Sequence, residues 1–149
     1  MAPLIRGWGA FFGLDLTHTR SDLFRAVLEG IAAGTAHVLE TYREVGAMPD
    51  VVHAVGGGTA NEVWLQATSD LGGVTQQVRE RTIGASYGDA FLAAVAIGAV
   101  APDAIDDWNP VARTVEPRDV AAYDRQYPLW KELYLRTRDV AHALAGAPG

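Results

Sequence analysis

The chain has no cysteine, which excludes a disulfide framework and any thiolate metal site. That absence fits a reducing cytoplasm. Lysine is almost missing as well: Lys131 stands alone, and every other basic residue is arginine. Lysine and arginine together number 12 against 18 acidic residues, a net charge of −6. With no basic cluster, nucleic acid is not the expected partner. A small anionic ligand remains compatible, because a local helix dipole can hold a phosphate on an acidic protein. No apolar run reaches membrane-spanning length, so no membrane association is expected. The opening Met-Ala-Pro-Leu-Ile-Arg-Gly-Trp also lacks the charged-then-apolar order of a signal peptide. Four histidines (His18, His37, His53, His142) are scattered without metal-ligand spacing, and no metal site is expected from them.

What the chain does have is enough apolar matter for one folded domain: 149 residues, 49% hydrophobic and only 20% charged. Its organising stretch is Val51-Val-His-Ala-Val-Gly-Gly-Gly58, running on into Thr59-Ala-Asn-Glu-Val-Trp-Leu-Gln66. A β-branched run favours a buried strand. Consecutive glycines then allow positive φ and close approach of another group to the backbone. Thr59 can cap the helix that follows, whose first N–H groups and dipole make an anion site. Strand, glycine turn and helix N-terminus together suit a nucleotide.

Around that turn the pattern predicts a helix from about Ser21 to Arg43, capped by Thr19 with Asp22 three residues on and closed by Gly46. Phe24, Val27, Leu28, Ile31, Thr35, Val38, Leu39 and Tyr42 recur at helical spacing. Gly30, Ala32, Ala33 and Gly34 are small enough for a second element to sit close. Arg25 and Glu29 read as a surface ion pair. A second helix is predicted over 60–71 with Val63, Trp64, Ala67 and Leu71 inward, then a strand over 74–78. An alanine-rich, tightly packed helix over 89–98 follows, with Asp89 in its first turn. Residues 101–117 read as a loop, its Asp103, Asp106 and Asp107 serving turns and caps. A helix over 120–144 carries an aromatic stripe (Tyr123, Tyr127, Trp130, Tyr134) read as core packing, with Pro128 kinking or restarting it. Residues 1–16, with Trp8, Phe11 and Phe12, form an irregular lead-in whose aromatics need something to bury against. The domain layout is therefore lead-in (1–16), helix–strand–helix–strand–helix core (17–100), loop (101–117) and C-terminal helix (118–145). Two strands cannot make a stable covered sheet, so the reading is an incomplete α/β domain, helix-rich with a few short strands.

The glycine turn fails three familiar tests. A P-loop needs Gly-Lys-Ser/Thr where Thr59-Ala60-Asn61 stands. A dinucleotide fingerprint needs a third glycine at Asn61 and a later acidic strand end. A nucleophile elbow needs a serine between the glycines. What remains is a backbone cradle, Gly56, Gly57 and Gly58, with one side-chain amide, Asn61.

Several motifs in order resemble one family. Gly13-Leu-Asp-Leu-Thr-His-Thr-Arg20 with Arg25-Ala-Val-Leu-Glu-Gly-Ile31, then Gly56-Gly-Gly-Thr-Ala-Asn-Glu-Val-Trp-Leu-Gln66 and Asp70-Leu-Gly-Gly73, then Gly88-Asp-Ala-Phe-Leu-Ala-Ala94, are similar to the FGGY carbohydrate kinases, xylulokinase branch. The similarity runs from about Gly7 to Tyr134; Asp89 departs from the small residue usual at its position. The resemblance implies an actin-like, RNase H-like ATPase domain, of which this chain corresponds to the later part of the second, ATP-binding domain. It implies that Gly56, Gly57, Gly58 and Asn61 line the adenosine and phosphate site, with ATP and Mg²⁺ as cofactors and the helix near Gly88 bordering the same pocket. It also implies that the catalytic base and the sugar contacts lie upstream, so this chain carries no catalytic residue and no turnover of its own. The implied parent reaction phosphorylates a ketose or polyol, D-xylulose first. Uncovered aromatics predict homo-oligomers. The alternative reading is a non-catalytic interaction module that keeps the fold and binds no nucleotide.

Overall fold

The computed structural model describes residues 10–146; Trp8 lies outside them. The elements run α1 (Arg20–Glu44), β1 (Val51–Ala54), a 3-10 turn (Gly57–Ala60), α2 (Glu62–Gly72), β2 (Thr75–Arg79), α3 (Ala85–Ala96), α4 (Ile105–Trp108), β3 (Val111–Val115), α5 (Val120–Tyr123) and α6 (Gln126–Gly146). The strands form one sheet in the order β1-β2-β3. β1 and β2 are parallel, with Val52 opposite Gln76, whereas β2 and β3 are antiparallel, with Val78 opposite Arg113.

α1 begins where predicted because Asp22 reaches back: its carboxylate accepts both the N–H and the hydroxyl of Thr19 at 2.7 Å. Those bonds, the backbone one foremost, hold the Asp22 carboxyl below its ordinary range. The helix closes at Gly46, in the left-handed region at φ 69°. Its buried face is Leu28, Ala32, Ala33, Ala36 and Leu39, which packs on α2. Small residues set this close approach. A Cβ on Gly72 of α2 would stand 2.8 Å from Leu39 Cδ1, so glycine is required there. Of the rest of the helical periodicity, Thr35 is half-buried, while Phe24, Val27, Ile31, Val38 and Tyr42 form an exposed stripe.

Four expectations are corrected. The stretch 101–117 is not a loop: it holds α4 and the third strand, β3. β3 has no clear sequence signature, because prolines bracket it at 110 and 117 and only Val115 of its residues is buried. The inner face of α2 is Leu65, Ala67, Thr68, Ser69, Asp70 and Gly72; of the residues expected there, Trp64 and Leu71 are half-buried and Val63 is exposed. Ser69 and Asp70 lie inward there because each finds hydrogen-bond partners, as described below. α3 starts at Ala85, which puts Asp89 beyond its first turn, and among its described residues only Phe91 is buried, against Trp108 at 5.7 Å between ring centroids. The predicted aromatic stripe is core only at Tyr123, which is buried at the end of α5; on α6, Tyr127 and Trp130 are half-buried and Tyr134 is exposed. Pro128 restarts the helix after a break at 124–125, as the third residue of α6, where its missing N–H leaves no bond unmade. Phe11 and Phe12 are exposed.

The C-terminal elements are tied to α1 by polar contacts. Tyr123 donates to Glu29 at 3.0 Å, and Glu29 also pairs with Arg25 at 2.7 Å, the predicted surface pair. Glu40 accepts from Tyr127 at 3.0 Å and from Lys131 at 2.8 Å. Lys131 also lies 4.9 Å from the Tyr127 ring centroid, a cation–π contact.

This junction makes stability fall at both pH extremes. Burial, then the bond to Glu40, pushes the Tyr127 hydroxyl up to about 12. Its contribution is complete below its ordinary value of 10.0 and is lost as pH rises toward 12. The Lys131 bond first, then Tyr127 and His37, lower the Glu40 carboxyl, whose contribution is complete above its ordinary 4.5 and is lost as pH falls through the depressed value. Urea titrations across pH should show both limbs, and Tyr127→Phe should flatten the alkaline one. An unchanged alkaline limb in that variant would remove Tyr127 from the explanation.

Candidate nucleotide-binding turn

The glycine turn sits at the carboxyl end of β1, beside the carboxyl end of its parallel partner β2. In open α/β sheets that is the edge where ligands bind. Gly56 leaves the strand with φ 86°, a conformation that only glycine adopts freely. Its N–H donates to the carbonyl of Thr82 at 2.7 Å, which joins the turn to the loop before α3. That loop is itself pinned by Asn109, whose side chain accepts from the Arg81 N–H at 2.9 Å and donates to the Arg81 carbonyl at 3.0 Å.

The turn is braced from inside. Thr59 is buried, and its hydroxyl donates to the Gly56 carbonyl at 2.8 Å. Its N–H bonds the same carbonyl at 3.2 Å, and the Asn61 N–H bonds Gly58 at 3.0 Å. Gly57 and Gly58 open the turn, and their N–H groups meet no backbone acceptor among the described residues. The expectation that Thr59 caps α2 is corrected: Asn61 does so, its Oδ1 accepting from the Trp64 N–H at 3.1 Å. A 3-10 turn intervenes and moves the helix start two residues along, so Thr59 lies too early to reach an α2 N–H.

Of the predicted site residues, Gly56, Gly57, Gly58 and Asn61 therefore lie within one turn, with only part of Asn61 left free. Beneath them is a cavity of about 150 Å³, lined by Thr35, Ala54, Val55, Trp64, Leu65 and Thr68 among others. It is smaller than the roughly 300 Å³ at which ligand pockets begin. Among the described residues no group of three histidines or carboxylates gathers to hold a metal ion.

Two contributors went unread in the sequence. The Trp64 ring lies directly under Gly58, where a Cβ would stand 2.5 Å from a ring carbon. Arg113, on β3, donates to the Thr59 carbonyl at 2.5 Å and pairs with the carboxylate of Glu62. The stretch at Trp64 could have signalled its role, since an aromatic six residues after a glycine can fold back on it across a helix start. Arg113 could not, because no local pattern marks its strand.

Comparison with known proteins then decides the family. Residues 5–97 match the C-terminal domain of the FGGY family of carbohydrate kinases. The chain belongs to that family. It is 30% identical over 140 residues to the xylulose kinase of Bacillus subtilis, covering 91% of this chain and 28% of that protein. It is 31% identical over 139 residues to the glycerol kinase of Lactobacillus delbrueckii, covering 90% and 27%. The crystal structure of xylulose kinase from Rhodospirillum rubrum superposes with a TM-score of 0.74 at 30% identity, over 89% of this chain and 28% of that one. The α/β fold is thus that of the actin-like ATPase domains of sugar kinases. The chain spans little more than a quarter of the length of these FGGY relatives.

The glycines of the FGGY turn should respond differently to a methyl group. Gly58→Ala forces the Trp64 ring to move and should cost about 1–3 kcal/mol. Gly57→Ala meets nothing within 4 Å and should stay within about 1 kcal/mol of the parent. Urea unfolding followed by tryptophan fluorescence measures both, and equal losses would contradict the packing described.

Proposed function

We propose that the chain is the nucleotide-binding part of an ATP-dependent sugar kinase, residues 1–149 forming the later portion of its ATP-binding domain. The observation that carries this reading is the pair of N–H groups on Gly57 and Gly58. Among the described residues they have no backbone acceptors at the carboxyl end of β1, and a Cβ on Gly57 would meet no atom within 4 Å. An anionic phosphate approaching the backbone suits that surface. Asn61 has committed its oxygen to Trp64, which leaves its two amide protons to donate to the ring acceptors of an adenine. Gly56, Gly57 and Gly58 would thus face the phosphates, and Asn61 the adenosine.

The whole enzyme would transfer the γ-phosphoryl group of MgATP to a hydroxyl of a ketose, giving the sugar phosphate and ADP. Xylulose is the acceptor favoured by the names of the relatives; polyols come second, since a glycerol kinase is among them. Mg²⁺ would supply charge neutralisation along the phosphates. This chain's own residues would hold and orient the nucleotide, not move the proton. Phosphoryl transfer rests on positioning and charge stabilisation across both faces of a cleft, so this chain alone should have no appreciable turnover.

Calorimetric titration with MgADP and MgATP, beside Gly57→Val, tests the reading. Saturable binding that the valine abolishes is the expected result, with no sugar-dependent ADP release from either protein. Failure of both to bind would favour the alternative, a module of the same fold that takes no nucleotide. Separately, the exposed stripe Phe24, Val27, Ile31, Val38 and Tyr42 should make the purified chain self-associate. Light scattering that finds only monomer at high concentration would contradict that.

A further inference from the structure

Arg113 lies far along the chain from the glycine turn, yet its guanidinium holds that turn at two points. One nitrogen donates to the carbonyl of Thr59, the residue that follows the three glycines, at 2.5 Å. Another pairs with the carboxylate of Glu62, the first residue of α2. The side chain is only 34% exposed, against 72% for Glu62. Its backbone is fixed by strand pairing opposite Val78. The donor is therefore anchored in the sheet while the acceptors belong to the turn and the helix start.

Two consequences follow. A planar guanidinium bonded at two points fixes orientation as well as distance, so the end of the turn cannot rotate freely about Gly57 and Gly58. Glu62 is also a negative charge at the start of α2, where it opposes any anion that approaches the neighbouring glycine turn. Arg113 offsets that charge. We propose that Arg113 is a positioning residue for the nucleotide: it holds the Gly56–Asn61 turn in shape and neutralises Glu62, so that the turn can accept a phosphate. This rests on the nucleotide reading of the turn for its ligand, but not for its geometry.

The test uses the full chain with Arg113→Gln, Arg113→Lys, Glu62→Gln, the double variant Arg113→Gln/Glu62→Gln, and Arg118→Gln as a control. Arg118 lines the neighbouring cleft and is exposed. Two readouts run in parallel: MgADP titration, and hydrogen exchange of the Thr59 and Asn61 amides without nucleotide. Arg113→Gln should weaken MgADP roughly tenfold or more, the scale of losing a hydrogen bond to a charged group, and should speed exchange at both amides. Arg113→Lys should recover part of the affinity through its charge. The double variant should regain affinity over Arg113→Gln while its amides stay fast, which a purely structural role would not produce. Arg118→Gln should change neither readout. If Arg113→Gln fails to fold, Arg113→Lys and Glu62→Gln carry the same comparison. Unchanged exchange in the folded Arg113 variants overturns the clamp, whether or not MgADP binds. A parent chain that binds no MgADP, with faster exchange in the variants, sinks the nucleotide reading and keeps the clamp.

Discussion

The structure depends on a buried amide. Gln76, 3% exposed in the middle of the sheet, donates to the Leu65 carbonyl of α2 at 2.7 Å and to the Ser69 hydroxyl at 2.9 Å. Ser69, fully buried, passes the chain on to the Val115 carbonyl of β3 at 3.0 Å. One helix and two strands are therefore joined by polar bonds at a place where most domains would use aliphatic packing. Unmade, these groups would be costly in so dry a site; fully satisfied, they specify one arrangement. The apolar cluster around them is small: Leu65, Val78 and Val115, with Ala54 against it.

From that junction the rest of α2 is placed. Asp70 turns its carboxylate to the N–H groups of Arg118 at 2.6 Å and Asp119 at 3.2 Å, and accepts from Gln66 at 2.9 Å. It therefore anchors the chain where it enters α5. The inward polar face of α2 explains why three strands suffice to seat it. It also carries the start of α2, and with it the glycine turn, to the carboxyl end of β1. The site is thus positioned by bonds made two turns of helix away.

The glycines in and around the turn do different physical work. Gly56 is needed for its backbone conformation, and Gly58 for the closeness of the Trp64 ring. Gly72 is needed so that α1 can approach α2. Gly57 has no such internal reason, since a side chain there would enter open space. Gly57 is thus free of the internal demands that fix the glycines on either side of it. The exposed stripe of α1 and the polar seams to Tyr123 and Tyr127 show the reverse economy at the other end of the chain, where apolar side chains are left outward and hydroxyls make the contacts.

The sequence by itself determined the local signals: the start of α1 through Thr19 and Asp22, its end at Gly46, the strand that runs into Gly56, and the restart at Pro128. These are written in residues a few positions apart, so their physics is complete within a short window. Its ordered motifs were also enough to indicate the family. Tertiary structure alone decided which face of each helix is inward, because Val63 and Leu65 are equally apolar and only the sheet chooses between them. It alone made β3 a strand, since a short bracketed run with one buried residue gains its bonds from β2. And it alone brought Arg113 to Thr59 and Glu62, a contact between residues more than fifty positions apart that no local pattern encodes.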